Sequence, residues 1–380
     1  MPSTGTLLAL ALAAVLPLVS SGGTNDVDRT DPNFVRASLM IIGPGNELFG
    51  CAGHASVRLE CPKFNLDYCF SCESESITGN FGKFVLGNMK MGMFAIPTKE
   101  FLALYREGGR MATQYPLNLP ADAKQRFWKL MDDKVAQGTC LHYDYIKYCC
   151  VQSVLQPLLE AIRPYRIKFP PWSAKYKLSR REILADNLAW CPWTRIFLHT
   201  IAGTEVDRQV SNVRTVILSP DLVELLSETE VEGKKLIAKE GEVVQPYQAP
   251  TECVFFTPLK AAWLVLLLAV ANAFLCWRWV DRSFLAFQAL LGLLLTYLLV
   301  VSNLPATDWN WLIVPFNPLP LVFWRWRRYW AWGFVAVLLA WEAFMLLSPH
   351  QLTDPAYLVV VLAYVLLYAK VAMRERRNML

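Results

Sequence analysis

Four long apolar stretches dominate the last third of the chain. They carry almost no charge, and each is about long enough to cross the ~30 Å hydrocarbon core of a bilayer. They lie at residues 261–277, 284–301, 329–347 and 356–373. A fifth apolar stretch, residues 311–324, is shorter and contains three prolines. The pattern predicts an all-α membrane bundle within residues 256–375.

Arginine clusters beside these stretches predict how the bundle is inserted. One cluster follows the first long stretch, one precedes the third and one follows the last. Basic loops are retained in the cytoplasm. If the N-terminal domain is exported, all three clusters lie in the cytoplasm only when residues 305–324 also cross the membrane. A proline-broken span is tolerated when it packs against other helices. We therefore expect about five spans, with the N-terminal domain on the exported side of the membrane.

The N-terminal part has the pattern of an exported domain. Residues 1–21 contain a short apolar core followed by small residues, which is typical of a signal peptide, although they lack Lys and Arg. An uncleaved anchor helix is the alternative. We expect a folded domain over residues 24–164. A helical extension and linker follow over residues 165–251, whose last part is charged and then contains Gln and Pro.

Two short patterns in this domain carry candidate chemistry. Residues 55–59 alternate between apolar and polar side chains, which predicts a half-buried strand with His54 at its start. After Cys150, apolar residues recur at helical spacing up to Ile162, and a proline follows two residues later. Cys149 and Cys150 therefore lie at the N-terminus of a predicted amphipathic helix.

A thiol at a helix start and an approachable histidine suit a cysteine nucleophile and its base. The helix dipole and the free backbone N–H groups favour a thiolate at Cys150 and could hold an oxyanion. His54 has small neighbours, and histidine is the usual proton carrier near neutral pH. The pair works only if the two side chains meet in space. The alternative is that Cys150 is a small core residue or half of a disulfide.

Composition narrows the range of functions. The net charge of +5 is modest and comes partly from the arginines beside the membrane stretches, so nucleic acid is not an expected partner. Ten cysteines in an exported chain favour disulfides, and the CxxC spacing of Cys69 and Cys72 favours a disulfide or a redox-labile pair. A zinc site is disfavoured because no second CxxC exists, so we expect no metal.

Several motifs follow one another in an order that resembles one family. The first are residues 39–49, Gly53-His54-Ala55, Asn80-Phe81, Arg110, Gln114 and the stretch from Tyr143 to Cys150. Later ones are Pro192-Trp193, Gly203, Asp207, Pro220-Asp221-Leu222, Asn310-Trp311 and Asn317-Pro318-Leu319. Over nearly the whole mature chain, they resemble the Lnb family of lipoprotein N-acyltransferases of Bacteroidota. The order of histidine and cysteine is also similar to that of the lecithin:retinol acyltransferase-like proteins.

The resemblance implies a fold and a pair of site residues. The expected fold class is α+β, with a papain-like, circularly permuted exported domain (NlpC/P60- or LRAT-like) followed by the all-α membrane bundle. The resemblance also implies that the bundle lies in the bacterial inner membrane and that the exported domain lies in the periplasm. The family's catalytic histidine and cysteine correspond to His54 and Cys150. Where the family usually has asparagine before the cysteine, this chain has Cys149, which is therefore a second candidate nucleophile.

Three further residues are candidates for supporting roles. Asp67 stands where the family commonly has asparagine, and its carboxylate could orient His54; the alternative is a solvated turn residue. Arg110 suits the phosphate of a lipid headgroup, and a surface salt bridge is the alternative. Gln114 could support substrate binding or simply occupy a polar strand position.

The implied activity is acyl transfer between two membrane-anchored substrates. A cysteine thioester would carry an acyl chain from a membrane phospholipid to the α-amine of the diacylglyceryl-cysteine of a lipoprotein, with no cofactor. One alternative is a membrane-anchored Cys–His hydrolase, either a lipase or a peptidase. Another is a non-enzymatic envelope protein whose cysteines are structural.

Overall fold

The computed structural model describes residues 28–45, 50–75, 79–138, 141–142, 149–171, 178–209, 216–246, 255–304, 306–347 and 354–377. Contacts divide the chain into two compact units. The first comprises Met1–Asn80, Met89–Ser173 and Ser211–Pro250, and the second comprises Phe81–Asn88, Ala174–Val210 and Thr251–Leu380. The predicted signal peptide, residues 1–21, lies outside the described residues.

The first unit contains two antiparallel sheets. Their strands are β1 (Arg36–Ile42), β2 (His54–Cys61), β3 (Leu66–Ser74), β4 (Lys90–Pro97), β5 (Ala112–Pro116), β6 (Leu141–His142), β7 (Ile167–Lys168), β8 (Glu230–Val231), β9 (Lys234–Lys235) and β10 (Glu242–Gln245). The larger sheet has seven strands in the order β10-β5-β1-β2-β3-β4-β6, and the smaller has the order β7-β8-β9. The strand predicted after His54 is confirmed as β2, in which Ala55, Val57 and Leu59 are fully buried.

Helices complete both units. They are α1 (Phe81–Leu86), α2 (Thr98–Glu107), α3 (Ala121–Ala136), α4 (Cys150–Ala161), α5 (Arg180–Asn187), α6 (Pro192–Ile201), α7 (Ser219–Glu228), α8 (Pro258–Leu275), α9 (Arg278–Val300), α10 (Leu319–Val322), α11 (Arg327–Leu347) and α12 (Pro355–Arg377). The first unit holds α2, α3, α4 and α7, and the others belong to the second.

Helices cover both faces of the larger sheet. On one face, Phe101 of α2 packs in a buried cluster with Met40 and Cys69. On the other face lie α3 and α4, and Phe70 of β3 meets Trp128 of α3 edge to face. The amphipathic helix predicted after the paired cysteines is confirmed as α4, because its apolar stripe is buried and the helix contacts β2 and β3.

The sheet geometry excludes a disulfide between Cys69 and Cys72. Successive side chains of a strand point to opposite faces, so residues three apart do not share a face. Cys69 lies on the α2 side, 3.5 Å from the hydroxyl of Thr98, and Cys72 hydrogen-bonds Ser153 of α4 on the other side. Both thiols are free and buried. The prediction of a disulfide or a redox-labile pair at this CxxC is therefore wrong.

The second unit contains the predicted apolar helices. Within its described residues, four helices are long and apolar enough to cross a membrane: Pro258–Leu275, Arg278–Val300, Trp324–Leu347 and Pro355–Arg374. The proline-containing stretch instead forms α10 and two short 3-10 helices, Trp311–Ile313 and Trp324–Trp326. The fifth crossing therefore stays a prediction.

The proline-containing stretch packs directly against α9. The Gln288 amide donates to the carbonyl of Pro315 over 2.7 Å and accepts from the hydroxyl of Tyr368 over 2.5 Å. A Cβ on Gly292 would lie only 2.6 Å from the Cα of Asn317, so the two backbones are in close contact. Phe316 is fully buried. Such contacts re-satisfy the backbone groups that prolines leave without helical partners.

The two units give the chain its fold class. A mixed helix–sheet domain precedes a set of apolar helices, as the α+β prediction with a membrane bundle requires. The papain-like, circularly permuted relation of the sheet domain stays a prediction.

Candidate active site

A tight turn before β2 fixes the position of His54. Gly53 has a φ of +82°, and its N–H bonds the carbonyl of Gly50 over 3.0 Å. A Cβ on Gly53 would come within 3.0 Å of the carbonyl oxygen of Ile42, the residue paired with His54. Glycine adopts this conformation without strain. The Gly-His sequence therefore sets the imidazole at the start of the strand, where 11% of its side chain is exposed.

Cys150 meets His54 in space. It is the first residue of α4, which packs against β2. Its thiol forms a hydrogen bond with the imidazole of His54, and its sulfur also accepts the backbone N–H of Ala55. The Cys150 side chain remains partly exposed. The histidine and the cysteine singled out from the sequence are therefore in direct contact, although almost a hundred residues separate them.

The electrostatics of this pair favour a thiolate and an imidazolium. Burial raises the pKa of the Cys150 thiol, but the charge and hydrogen bond of His54 and the Ala55 N–H outweigh it, so the pKa lies below the usual 9.0. Burial lowers the pKa of His54, but the charges of Glu73 and the Cys150 thiolate outweigh it, so the pKa lies above the usual 6.5. The two opposite shifts share a cause, because each charge stabilises the other.

Cys149, the second candidate nucleophile, lies in a different environment. It precedes the first turn of α4, is buried, and directs its sulfur toward the carbonyl of Ile217 at 3.9 Å. Burial and the neighbouring Cys150 raise the pKa of the Cys149 thiol to about 12. At neutral pH it is a protonated core thiol, whereas the Cys150 thiol is the acidic one of the two.

A serine and a glutamate hold the other side of the His54 ring. Its Nε2 lies 2.7 Å from the hydroxyl oxygen of Ser71 and 3.5 Å from Oε1 of Glu73. The Ser71 hydroxyl donates to the same Glu73 oxygen over 2.6 Å, and the Tyr105 hydroxyl donates to it over 3.2 Å. Because the Ser71 proton points to Glu73, the Ser71 oxygen accepts from Nε2–H. The remaining ring nitrogen, Nδ1, is then free to exchange a proton with Cys150.

Sequence reasoning missed both of these residues. Their signal lies in the pairing of β2 with β3, in which Val57 faces Phe70. Continuing that register by three residues places Glu73 opposite His54, with Ser71 two positions away on the same face. The register depends on the turn between the two strands, where Asn65 adopts a φ of +52°.

Arg110 stabilises the loop beside the histidine. Its guanidinium lies 4.9 Å from the centre of the Tyr105 ring, which stacks on the His54 ring with centres 6.0 Å apart. Its Nε donates to the carbonyl of Gly43 over 2.9 Å, and its Nη2 approaches the carbonyl of Gly50 at 3.4 Å. The structure therefore places Arg110 one aromatic ring away from the imidazole. A contact of this guanidinium with a lipid phosphate stays a prediction.

Asp67 and Gln114 belong to a separate network around Arg58. Asp67 accepts two hydrogen bonds of 2.8 Å from Arg58 and one of 2.5 Å from Thr98. Gln114 accepts from Arg58 over 2.9 Å and donates to Ser38 over 2.9 Å. Burial opposes ionisation of Asp67, but these donors outweigh it and lower its pKa.

The position of Asp67 corrects its predicted role. It precedes Glu73 by six residues on β3, which amounts to about 20 Å along a strand. The carboxylate beside His54 is therefore that of Glu73, while the carboxylate of Asp67 orders the Arg58 guanidinium. Gln114 likewise contacts this guanidinium and not the Cys–His pair.

The same region offers no cluster of metal ligands. Among the residues that the structure describes, no three His, Cys, Asp or Glu side chains come together as a metal site. The chemistry available here is that of an activated thiol, a proton-exchanging imidazole and nearby backbone N–H groups.

Two family matches cover most of the chain. Residues 26–180 match the Lnb N-terminal periplasmic domain, and residues 250–378 match the Lnb transmembrane domain. No curated protein matches significantly, and neither does any solved structure. The first match contains His54, Glu73 and Cys150, and the second contains the four apolar helices. With both domains present in this order, the chain belongs to the Lnb family.

Proposed function

We propose that the protein is a lipoprotein N-acyltransferase. Its acyl donor is a membrane phospholipid, and its acceptor is the α-amine of the diacylglyceryl-cysteine at the N-terminus of a lipoprotein. The sheet domain works in the periplasm while the apolar helices lie in the inner membrane. The observation that carries the proposal is the hydrogen-bonded Cys150–His54 pair, whose thiol is acidified, within an Lnb N-terminal domain.

The first half-reaction forms a thioester on Cys150. His54 takes the thiol proton, and the thiolate attacks an ester carbonyl of the phospholipid. Backbone N–H groups at the start of α4 stabilise the negative oxygen of the tetrahedral intermediate. As the carbon–oxygen ester bond breaks, His54 returns its proton to the leaving oxygen, and a lysophospholipid departs.

In the second half-reaction Cys150 becomes the leaving group, and His54 accepts a proton from the attacking amine. The α-amine of the lipoprotein attacks the thioester carbonyl, and His54 removes a proton from the nitrogen as the amide bond forms. The carbon–sulfur bond breaks, and Cys150 leaves as a thiolate that His54 reprotonates. Ser71 and Glu73 hold the imidazole so that Nδ1 faces the sulfur in both steps.

A Cys–His hydrolase is the second candidate function, because the same pair would pass an acyl group to water. The membrane helices favour transfer, since they keep the enzyme where both substrates are anchored. Transfer also requires that the thioester intermediate be shielded from water, because hydrolysis would otherwise compete with it. A non-enzymatic envelope protein is the third candidate. A structural role does not require a thiol of lowered pKa beside an imidazole, so this arrangement favours an enzyme.

Reconstitution separates these candidates. The full-length protein is placed in vesicles with phosphatidylethanolamine and a synthetic diacylated lipopeptide, and the lipopeptide is analysed by mass spectrometry. We expect one added acyl chain on the amine, a lysophospholipid in equal amount, and loss of both products in Cys150→Ala and His54→Ala. Cys149→Ala is the matched control and should retain activity.

Each alternative has a distinct result in the same assay. Free fatty acid with an unmodified lipopeptide would identify a hydrolase. Absence of lysophospholipid, of free fatty acid and of any acyl adduct on Cys150, after incubation of the protein with lipid alone, would identify a non-enzymatic protein. Loss of activity in Cys149→Ala with retention in Cys150→Ala would reverse the assignment of the nucleophile.

A further inference from the structure

The short helix α1 interrupts the sheet domain in sequence but belongs to the second unit. It follows β3 and precedes β4, yet Phe81–Asn88 packs with the unit that contains the apolar helices. Its C-terminal end is sharply defined: Gly87 has a φ of +72°, and the N–H groups of Gly87 and Asn88 bond the carbonyls of Phe84 and Lys83. This is a Schellman motif, which requires glycine or a similarly tolerant residue.

Three contacts tie α1 to the residues that follow α9. The N–H of Asn303 donates to the carbonyl of Leu86 over 3.0 Å, and the Ser302 hydroxyl donates to the carbonyl of Val85 over 2.6 Å. A Cβ on Gly87 would overlap the backbone nitrogen of Leu304. Because α9 is one of the candidate membrane spans, α1 lies at the level where that span ends.

The outer surface of α1 is apolar at its two ends. Phe84 is buried, but Phe81 is 63% exposed and Leu86 is 41% exposed. Gly82 and Lys83 also lie on the exposed side. The composition, an aromatic and an aliphatic residue beside a lysine, is typical of segments that lie in the interface between hydrocarbon and headgroups.

The exposed face of α1 continues a lipid-facing surface. At the end of α9, Val300 and Val301 are also exposed, and in a membrane span such residues face hydrocarbon. Phe81 and Leu86 extend this surface beyond the last turn of α9. Two side chains are too few for a stable protein interface, which buries roughly 800 Å² on each partner. We therefore do not expect a second copy of the chain to bind this face of α1.

We propose that α1 binds the phospholipid leaflet at the end of α9, with Phe81 and Leu86 inserted among the acyl chains. Lys83 then lies near the lipid phosphates, which attract its positive charge. The inference goes beyond the proposed acyl transfer, because it assigns a lipid-binding surface to a segment outside the Cys–His site. Phe81 follows Glu73 by only eight residues in the chain. In the sequence, the strand that carries Glu73 therefore shortly precedes the proposed lipid-binding segment.

Photocrosslinking tests this surface directly. Benzoylphenylalanine replaces Phe81 in the full-length protein, which is reconstituted in nanodiscs of phosphatidylethanolamine and phosphatidylglycerol and then irradiated. Phe64, an aromatic residue of the sheet unit that is 54% exposed, is replaced in the matched control. We expect a lipid adduct on the peptide containing position 81, several-fold more abundant than any adduct at position 64.

The outcomes are independent of acyl transfer. The adduct at position 81 should persist when Cys150→Ala is introduced as well, because lipid insertion needs no thioester. Equal adducts at positions 81 and 64, or crosslinks from position 81 to protein instead of lipid, would overturn the proposal. A lipid adduct at position 81 in a protein without acyltransferase activity would support this surface while removing the proposed function.

Discussion

Nε2 of His54 lies 2.7 Å from the hydroxyl oxygen of Ser71, which in turn donates to Glu73 over 2.6 Å. The serine thus bridges an imidazole and a carboxylate that are themselves 3.5 Å apart. In this arrangement the carboxylate acts on the ring both directly by charge and through the hydroxyl. Glu73 and Ser71 are therefore positioning residues, and His54 is the group that exchanges protons with Cys150.

Glu73→Gln should slow the reaction without preventing lipid binding. The amide keeps the shape of the side chain but removes the charge that raises the pKa of His54. We expect kcat to fall roughly 10- to 100-fold, because the substitution removes only part of the rate acceleration that a general base provides. The KM for phospholipid should be nearly unchanged. Steady-state kinetics in vesicles measures both constants.

A second glutamate provides the control for this substitution. Glu60 lies on β2 and pairs with Arg58 at 3.1 Å, remote from the imidazole. Glu60→Gln removes the same charge and should leave kcat within about twofold, because Glu60 lies six residues from His54, about 20 Å along β2, and its charge acts on Arg58. If both variants lose kcat equally, the positioning role of Glu73 is excluded.

The reactivity of Cys150 should depend on pH through His54. The thiol pKa is lowered below 9.0, so alkylation by iodoacetamide should rise with pH to a plateau whose midpoint lies below 9.0. His54→Ala removes the opposing charge, and burial then dominates, so the midpoint should move above 9.0. Cys149, with a pKa of about 12, should stay unmodified over the same range.

Acyl transfer should follow a bell-shaped pH profile with the same origin. The acid limb rises as Cys150 loses its proton, and the alkaline limb falls as the imidazolium loses the proton that it gives to the leaving group. Since the pKa of His54 is raised, the alkaline limb should lie above 6.5. Glu73→Gln lowers the pKa of His54 and should shift this limb toward lower pH, whereas an unshifted limb would contradict the charge interaction.

Local patterns were sufficient to predict the elements that carry the pair. The alternation after His54 predicted β2, and the helical spacing after Cys150 predicted α4, because both signals depend only on which face of the element is buried. The assignment of His54 and Cys150 as partners needed the family resemblance. The sequence alone provides no measure of how two elements that are distant in the chain approach each other.

The residues that the sequence did not reveal all depend on strand register. Asp67 and Glu73 lie on the same face of β3, and only the pairing of β3 with β2 decides which of them is opposite His54. A slip of one residue would turn every side chain to the other face. The CxxC spacing failed for a related reason, because a strand places Cys69 and Cys72 on opposite faces, whereas the spacing suggests a pair only in a turn or helix.

Asp67→Asn should affect stability more than chemistry. It weakens the paired hydrogen bonds to Arg58, and because the Asp67 side chain is 42% exposed, we expect a loss of about 1 kcal/mol in the free energy of unfolding. The value of kcat should remain within about twofold, since no contact with His54 is lost. Thermal unfolding in detergent and vesicle kinetics measure the two effects. A loss of kcat comparable with that of Glu73→Gln would restore Asp67 as the residue that orients His54.

Alanine substitutions at two glycines with similar positive φ values distinguish the effect of backbone strain from the effect of displacing His54. Gly53 and Gly79 have φ values of +82° and +85°. A Cβ at Gly53 would approach the carbonyl oxygen of Ile42 to 3.0 Å, whereas a Cβ at Gly79 would have no atom of a non-adjacent described residue within 4 Å. Each alanine substitution should cost about 1–2 kcal/mol of strain. Gly53→Ala should in addition move the start of β2 and lower kcat, whereas Gly79→Ala should keep kcat. Equal kcat values in the two variants, at equal thermal stability, would show that the turn before β2 does not set the position of the imidazole.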